Sequence, residues 1–184
     1  MNTENKITSP EDILKLMSNI DYGYVNNKYE KVRNISDKIF EHDYQIQSPV
    51  ELVESKIGVC WDQCELERFY FQKYLQVPFK IYYMEAKNLS QSTHTLLVYE
   101  DALKFFWFEN SWFIYRGIHE FNNMDDLFKK VSENHLNSVN AECDDKTNEV
   151  NWHLLEKPEF GIDSTSFMNH AKKQPPVFTF IKNN

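Results

Sequence analysis

Three residues of this chain have the types that nucleophilic catalysis needs: Cys60, His94 and Glu109. Cys60 lies in Gly58-Val59-Cys60-Trp61-Asp62-Gln63, a glycine turn that opens straight into a helical pattern. A thiol in the first turn of a helix sits at the positive end of the helix dipole, beside unpaired backbone N–H groups. Both favour the thiolate, which is the nucleophile. His94 is the expected base: it takes the thiol proton, or forms a thiolate–imidazolium pair, and later protonates a leaving group. Glu109 is expected to select the ring tautomer and stabilise the imidazolium. The backbone N–H groups of Cys60 and Trp61 are candidates to hold the oxyanion of an attacked carbonyl.

These residues need elements to position them. Trp61, Cys64, Leu66, Phe69, Tyr70, Tyr74 and Leu75 cover a broad apolar face, which predicts a buried central helix from about Cys60 to Leu75, ended before Pro78. Three aromatic and β-branched runs follow, Phe79–Met84, His94–Tyr99 and Phe105–Glu109, and read as strands. A hairpin bending about Asp101-Ala102 would set Tyr99 opposite Lys104, Val98 opposite Phe105, Leu96 opposite Trp107 and His94 opposite Glu109. Opposed residues share a face with Cβ atoms about 4.5–5.5 Å apart, near enough for a carboxylate to hold an imidazole. A one-residue slip exchanges faces and substitutes Asn110, the alternative orienter.

The remaining elements are supporting ones. Ser9-Pro10-Glu11-Asp12 opens a first helix with Ile13, Leu14, Met17 and Ile20 apolar, and Asp21–Val25 reads as a turn. Ser48-Pro49 opens a second helix that Gly58 is expected to stop. Asn122 or Asn123 caps a helix carrying Leu127, Phe128 and Val131. A short helix over Ser164–Ala171 and an edge strand over Val177–Ile181 close the chain. Weak ordering is expected at residues 1–8 and over Ser138–Glu149. A helix followed by a strand meander argues α+β and a single domain.

Blander readings stand beside the sharp ones. Cys60 alone would be an inert buried thiol. Cys64, one turn later, reads as core, with a redox pairing to Cys60 as a lesser reading. Cys60, Cys64 and His94 lack the second paired motif of a metal site, and Cys143 lies in a polar stretch. His119 is the rival base, ranked lower because it lies beyond the paired strands. Trp107, Trp112 and Tyr115 read first as core and second as a cleft wall. Arg116 reads as the partner of a glutamate before the binder of a substrate carboxylate, and Asp125-Asp126 as a solvated helix start.

Composition narrows the classes. Hydrophobic residues make up 41% and aromatics 15% of 184 residues, which excludes disordered and collagen-like chains. With 20 basic against 28 acidic residues and a net charge of −8, a nucleic-acid partner is not expected. Neither a membrane span nor a secretion signal is expected from the apolar runs, and three cysteines fit a reduced cytoplasm better than a disulfide scaffold.

Gly58-Val59-Cys60-Trp61-Asp62-Gln63, then Thr93-His94-Thr95 and Trp107-Phe108-Glu109, resemble the transglutaminase-like superfamily of papain-like cysteine enzymes. The resemblance spans roughly Ser48 to Gly117. It implies a papain-like, transglutaminase-type core, with the Cys-bearing helix packed on an antiparallel sheet, and a thioester intermediate. This chain carries Glu109 where the family usually has Asp, and Glu54 where papain-type enzymes carry an oxyanion glutamine. Tyr22, Tyr24 and Gln63 are the residues that could take the glutamine's place, and Trp61 and Trp107 are further oxyanion or cleft candidates. The function expected is cysteine-dependent acyl transfer on a peptide or protein amide, as hydrolase, deamidase or amidotransferase, without metal or cofactor. The alternatives are a non-catalytic peptide-binding module on the same fold, or a thiol-redox protein using Cys60 and Cys64.

Overall fold

Capping chemistry fixes the first two helices that flank the site. A computed structural model describes residues 7–33, 37–89, 92–142 and 146–183. α1 (Pro10–Met17) begins where Ser9 and Asp12 exchange side-chain and backbone hydrogen bonds. Ser48 and Glu51 do the same for α3 (Pro49–Ser55). α2 (Asp37–Asp43) lies between them in sequence. Gly58 does not stop α3: Lys56, left-handed at φ 56°, ends it, and Gly58 belongs to a short strand. Ile7 packs on the core and the Thr8 N–H donates to Asp12. Met1 to Lys6 lie outside the described residues.

Asp21–Val25 is not a plain turn. β1 (Asp21–Tyr22) and β2 (Tyr24–Val25) flank Gly23. β2 pairs with β3 (Lys31–Val32), and β1 runs parallel to β4 (Ile57–Gly58), with Tyr22 beside Gly58. α4 (Cys60–Tyr74) follows directly. Phe79–Ala86, Thr93–Asp101, Lys104–Glu109 and Gly117–Phe121 form β5 to β8. Asn123 accepts from the Asp126 N–H to cap α5 (Met124–Glu142). β9 (Glu149–Leu154), α6 (Ser164–Ala171) and β10 (Phe178–Ile181) complete the chain.

The six longer strands form one antiparallel sheet in the order β10-β9-β5-β6-β7-β8. Strict alternation buries both of its faces. Ile81, Tyr83, Leu97, Tyr99 and Phe108 point to one side, against Leu66 and Phe71 of α4, Ile13 and Met17 of α1 and Phe167 of α6. Tyr82, Met84, Leu96, Val98, Trp107, Val150 and Trp152 point to the other, against Leu127, Phe128, Val131 and Leu136 of α5. The fold is therefore α+β, with a helix-bearing layer on each side of the sheet. Among the described residues no helix is long and apolar enough to cross a membrane.

The hairpin register differs from the expected one by two residues. Asp101 pairs with Lys104, Val98 with Trp107 and Leu97 with Phe108. The turn is Ala102-Leu103, both left-handed at φ 46° and 64°, which matches the twist of a two-residue hairpin without the usual Asn-Gly. A two-residue shift preserves faces, so His94 and Glu109 still share one. Over Ser138–Glu149, both flanks lie in regular elements. α5 runs to Glu142, Asn140 bonds the Thr147 backbone, and β9 starts at Glu149. Cys143 lies outside the described residues.

Candidate active site

The N-terminus of α4 is built around Asp62. Its carboxylate accepts from the Val59 N–H (2.9 Å), the Gln47 N–H (2.8 Å) and the Tyr44 hydroxyl (2.9 Å). Burial pushes the Asp62 carboxyl up to about 7, against those three bonds. Asp62 is thus a structural pin of the helix start, more than a dipole-favouring residue. Gly58 permits the approach. A Cβ there would lie 2.6 Å from Leu52 Cδ1 and 2.8 Å from Asp62 Cβ, so a side chain would push the turn off the helix. Gln63 fastens the same turn: its Nε2 donates to the Gly58 carbonyl (2.8 Å) and its Oε1 accepts from Asn110 Nδ2 (2.7 Å).

The base is held from the sheet. His94 Nε2 lies 2.7 Å from Glu109 Oε2. Glu109 also accepts from Trp107 Nε1 (3.2 Å), Ser111 Oγ (3.0 Å) and the Trp112 N–H (2.7 Å). The Cys60 thiol lies beside the same ring. Trp112 lies edge-on to the ring, with centroids 5.2 Å apart at 62°. Burial opposes charge on the His94 ring, but the Glu109 carboxylate, with its hydrogen bond, and the neighbouring Cys60 sulfur outweigh it, raising the imidazole to about 10. Burial likewise opposes charge on Glu109, and is outweighed by the His94 cation, the Trp112 N–H and Ser111, so its carboxyl titrates below the usual range.

The structure therefore brings Cys60, His94 and Glu109 together. Asn110 does not reach the ring: its amide donates to the Met17 carbonyl (3.0 Å) and to Gln63. Trp107 is a buried support of Glu109 and not a cleft wall. Trp61 is core, stacked on Phe167 at 4.3 Å, and Tyr24 is core against Phe40 and Tyr44. His119 is remote from the thiol in its bonding, since its Nε2 donates to the Tyr115 carbonyl (2.6 Å) and its ring covers Trp107. Arg116 is exposed and makes no ion pair with a glutamate among the described residues. Its Nε donates to the Asn110 carbonyl, and its guanidinium lies over Phe113. Cys60 and Cys64 are both free thiols, and Cys64 turns to Thr95 and Glu67.

Two further neighbours are Tyr22, one of the residues offered for the oxyanion glutamine's place, and Glu67, which the pattern reading does not reach. Tyr22, on β1, has its hydroxyl against the Cys60 thiol. Glu67 lies buried two turns along α4 near Cys64, its Oε2 without a hydrogen-bond partner, and burial together with the Glu109 charge pushes its carboxyl well up. The i, i+4, i+7 spacing of Cys60, Cys64 and Glu67 is the available signal for one shared helix face.

No family model matches the chain, and no curated protein matches it.

Proposed function

We propose that the chain is a cysteine-dependent acyl-transfer enzyme with a papain-like, transglutaminase-type core, acting on an amide through a thioester on Cys60. What carries the reading is one observation: a single buried imidazole is held at 2.7 Å by the Glu109 carboxylate and has the Cys60 thiol beside it. An imidazolium beside a thiol favours the thiolate. The thiolate attacks the amide carbon, His94 gives its proton to the departing nitrogen, and water or an amine later releases the acyl group. Glu109 keeps the ring oriented throughout, as its four donors keep Glu109 itself oriented.

The test is iodoacetamide labelling at pH 7, read peptide by peptide. Cys60 is expected to alkylate well ahead of Cys64, and His94→Ala to slow it by about 10²-fold. A Cys60 that labels no faster than Cys64, with His94 intact, removes the enzymatic reading. It would favour the peptide-binding module instead, which the 4% exposure of Cys60 already suits.

A further inference from the structure

A cavity of about 420 Å³ opens where α5 meets the edge strand β8, and its walls include Trp107, Tyr115, His119 and Phe121. His119 stands opposite Trp107 in the strand pairing and packs on it at 4.7 Å, with the rings 31° apart. Tyr115 lies 5.8 Å from the same indole. Tyr115, His119 and Phe121 are each half-buried, so part of each ring remains open. Lys130 and Asn134 complete the wall from α5, four residues apart and so on one side of the helix.

Asn134 is the informative member. It is only 6% exposed and lines this cavity, yet its amide makes no hydrogen bond among the described residues. A buried amide is normally bonded, because an unpaired one is costly. Held at a cavity wall, this amide presents a donor and an acceptor side by side to whatever enters. Lys130 is exposed and makes no ion pair among the described residues, whereas Glu120, also in the wall, is paired with Lys104 at 3.1 Å. The uncommitted charge at the mouth is therefore positive. The larger cavity beside α3, about 690 Å³, differs. Gln47, its buried polar side chain, has both amide atoms bonded, to Ile57 and Ser55.

We propose that this cavity binds an adenine mononucleotide. The base lies against the aromatic wall, where stacking holds a planar heterocycle. Asn134 reads its edge. The amide oxygen accepts from the exocyclic amine and the amide NH2 donates to the neighbouring ring nitrogen, the pairing an asparagine makes with adenine. The phosphate turns to Lys130, whose ammonium acts as a point charge. The cavity's volume suits one small molecule. A polynucleotide is repelled by the net charge of −8, and a single lysine offers it no track. The assignment does not depend on the acyl-transfer reading, for it uses neither Cys60 nor His94.

Titration calorimetry with adenosine monophosphate, adenosine and inorganic phosphate tests the assignment. The wild-type chain is expected to bind the nucleotide, adenosine more weakly, and phosphate alone not measurably. Asn134→Leu is expected to weaken the nucleotide and adenosine alike by about tenfold or more. Its melting temperature should stay at or above that of wild type, because no hydrogen bond within the chain is lost. Lys130→Gln is expected to weaken the nucleotide several-fold and leave adenosine unchanged. A wild-type chain that takes up neither the nucleotide nor adenosine at millimolar concentration overturns the proposal. So does an Asn134→Leu variant that binds as wild type does, or that melts well below it, since the amide would then serve the fold. Phosphate bound as tightly as the nucleotide would mean an anion site without base recognition, and would overturn it too.

Discussion

Glu109 is the most heavily bonded side chain of the site, and that saturation is its role. His94 and Trp107 address Oε2, and Ser111 Oγ and the Trp112 N–H address Oε1. Every group around it is a donor, so the position demands two acceptor oxygens. Glu109→Gln keeps the shape but sets an NH2 against at least one donor, leaving it unpaired at a cost of about 1–3 kcal/mol. His94 also loses the carboxylate that holds it charged. The expected outcome is a fall in Cys60 alkylation at pH 7 by about 10²-fold or more, by analogy with amide replacement of orienting carboxylates. Asn110→Ala is the contrast. It unfastens Gln63 and the Met17 carbonyl, not the ring, so it should lower the melting temperature while leaving alkylation within a few-fold. An Asn110→Ala loss of reactivity equal to that of Glu109→Gln would reverse these roles.

At the scale of elements, the site is a junction between a helix start and the ends of two strands. Gly58 is its tightest point, with both Leu52 and Asp62 inside the distance a Cβ requires. Gly58→Ala forces either α3 away or Asp62 out of its three hydrogen bonds. Overpacking of this kind costs about 1–3 kcal/mol. Urea unfolding should show that loss, and Cys60 alkylation should slow with it, because the displaced turn carries the sulfur. An alanine variant of wild-type stability would mean the turn is softer than its contacts imply. Much of this junction is legible in the sequence. Helix starts announce themselves through Ser9, Ser48 and Asn123, and the shared face of His94 and Glu109 follows from strand parity alone. Parity survives an even register error, which is why the contact was reached from the wrong pairing. What sequence hides is the turn at Ala102-Leu103, since neither residue advertises a left-handed backbone. β9 was likewise hidden. Val150 and Trp152 alternate with polar neighbours, but the surrounding Asp, Asn and Lys residues read as loop. Tyr22 is named among the candidates from the sequence, but the parallel pairing of β1 with β4 that sets it beside Gly58, two residues on each side, is encoded by no periodicity.

For the molecule as a whole, the buried His94–Glu109 pair links folding to pH over a defined range. An exposed histidine in the unfolded chain titrates near 6.5, whereas His94 in the folded protein titrates at about 10. The folded state therefore holds a proton that the unfolded chain has released across that interval. The pair's contribution is complete below about 6.5 and is lost as pH rises towards 10, at no more than about 1.4 kcal/mol per pH unit. Glu109 works in the opposite direction: its lowered carboxyl gives stability that is present above the ordinary carboxylate range and lost as pH falls through its folded value. Asp62 adds a separate loss as pH rises from 3.8 to about 7. Burial raises its carboxyl from 3.8 to about 7, so its unfavourable ionisation is complete near neutrality. Above pH 7 the two histidine-linked and aspartate-linked slopes therefore separate. Urea midpoints at pH 7.5, 8.5 and 9.5 should decline in the wild type and decline less in His94→Gln, which carries no titrating ring. Parallel declines in the two proteins would mean that the imidazole is not charged in the folded state, and the thiolate–imidazolium chemistry would lose its electrostatic basis.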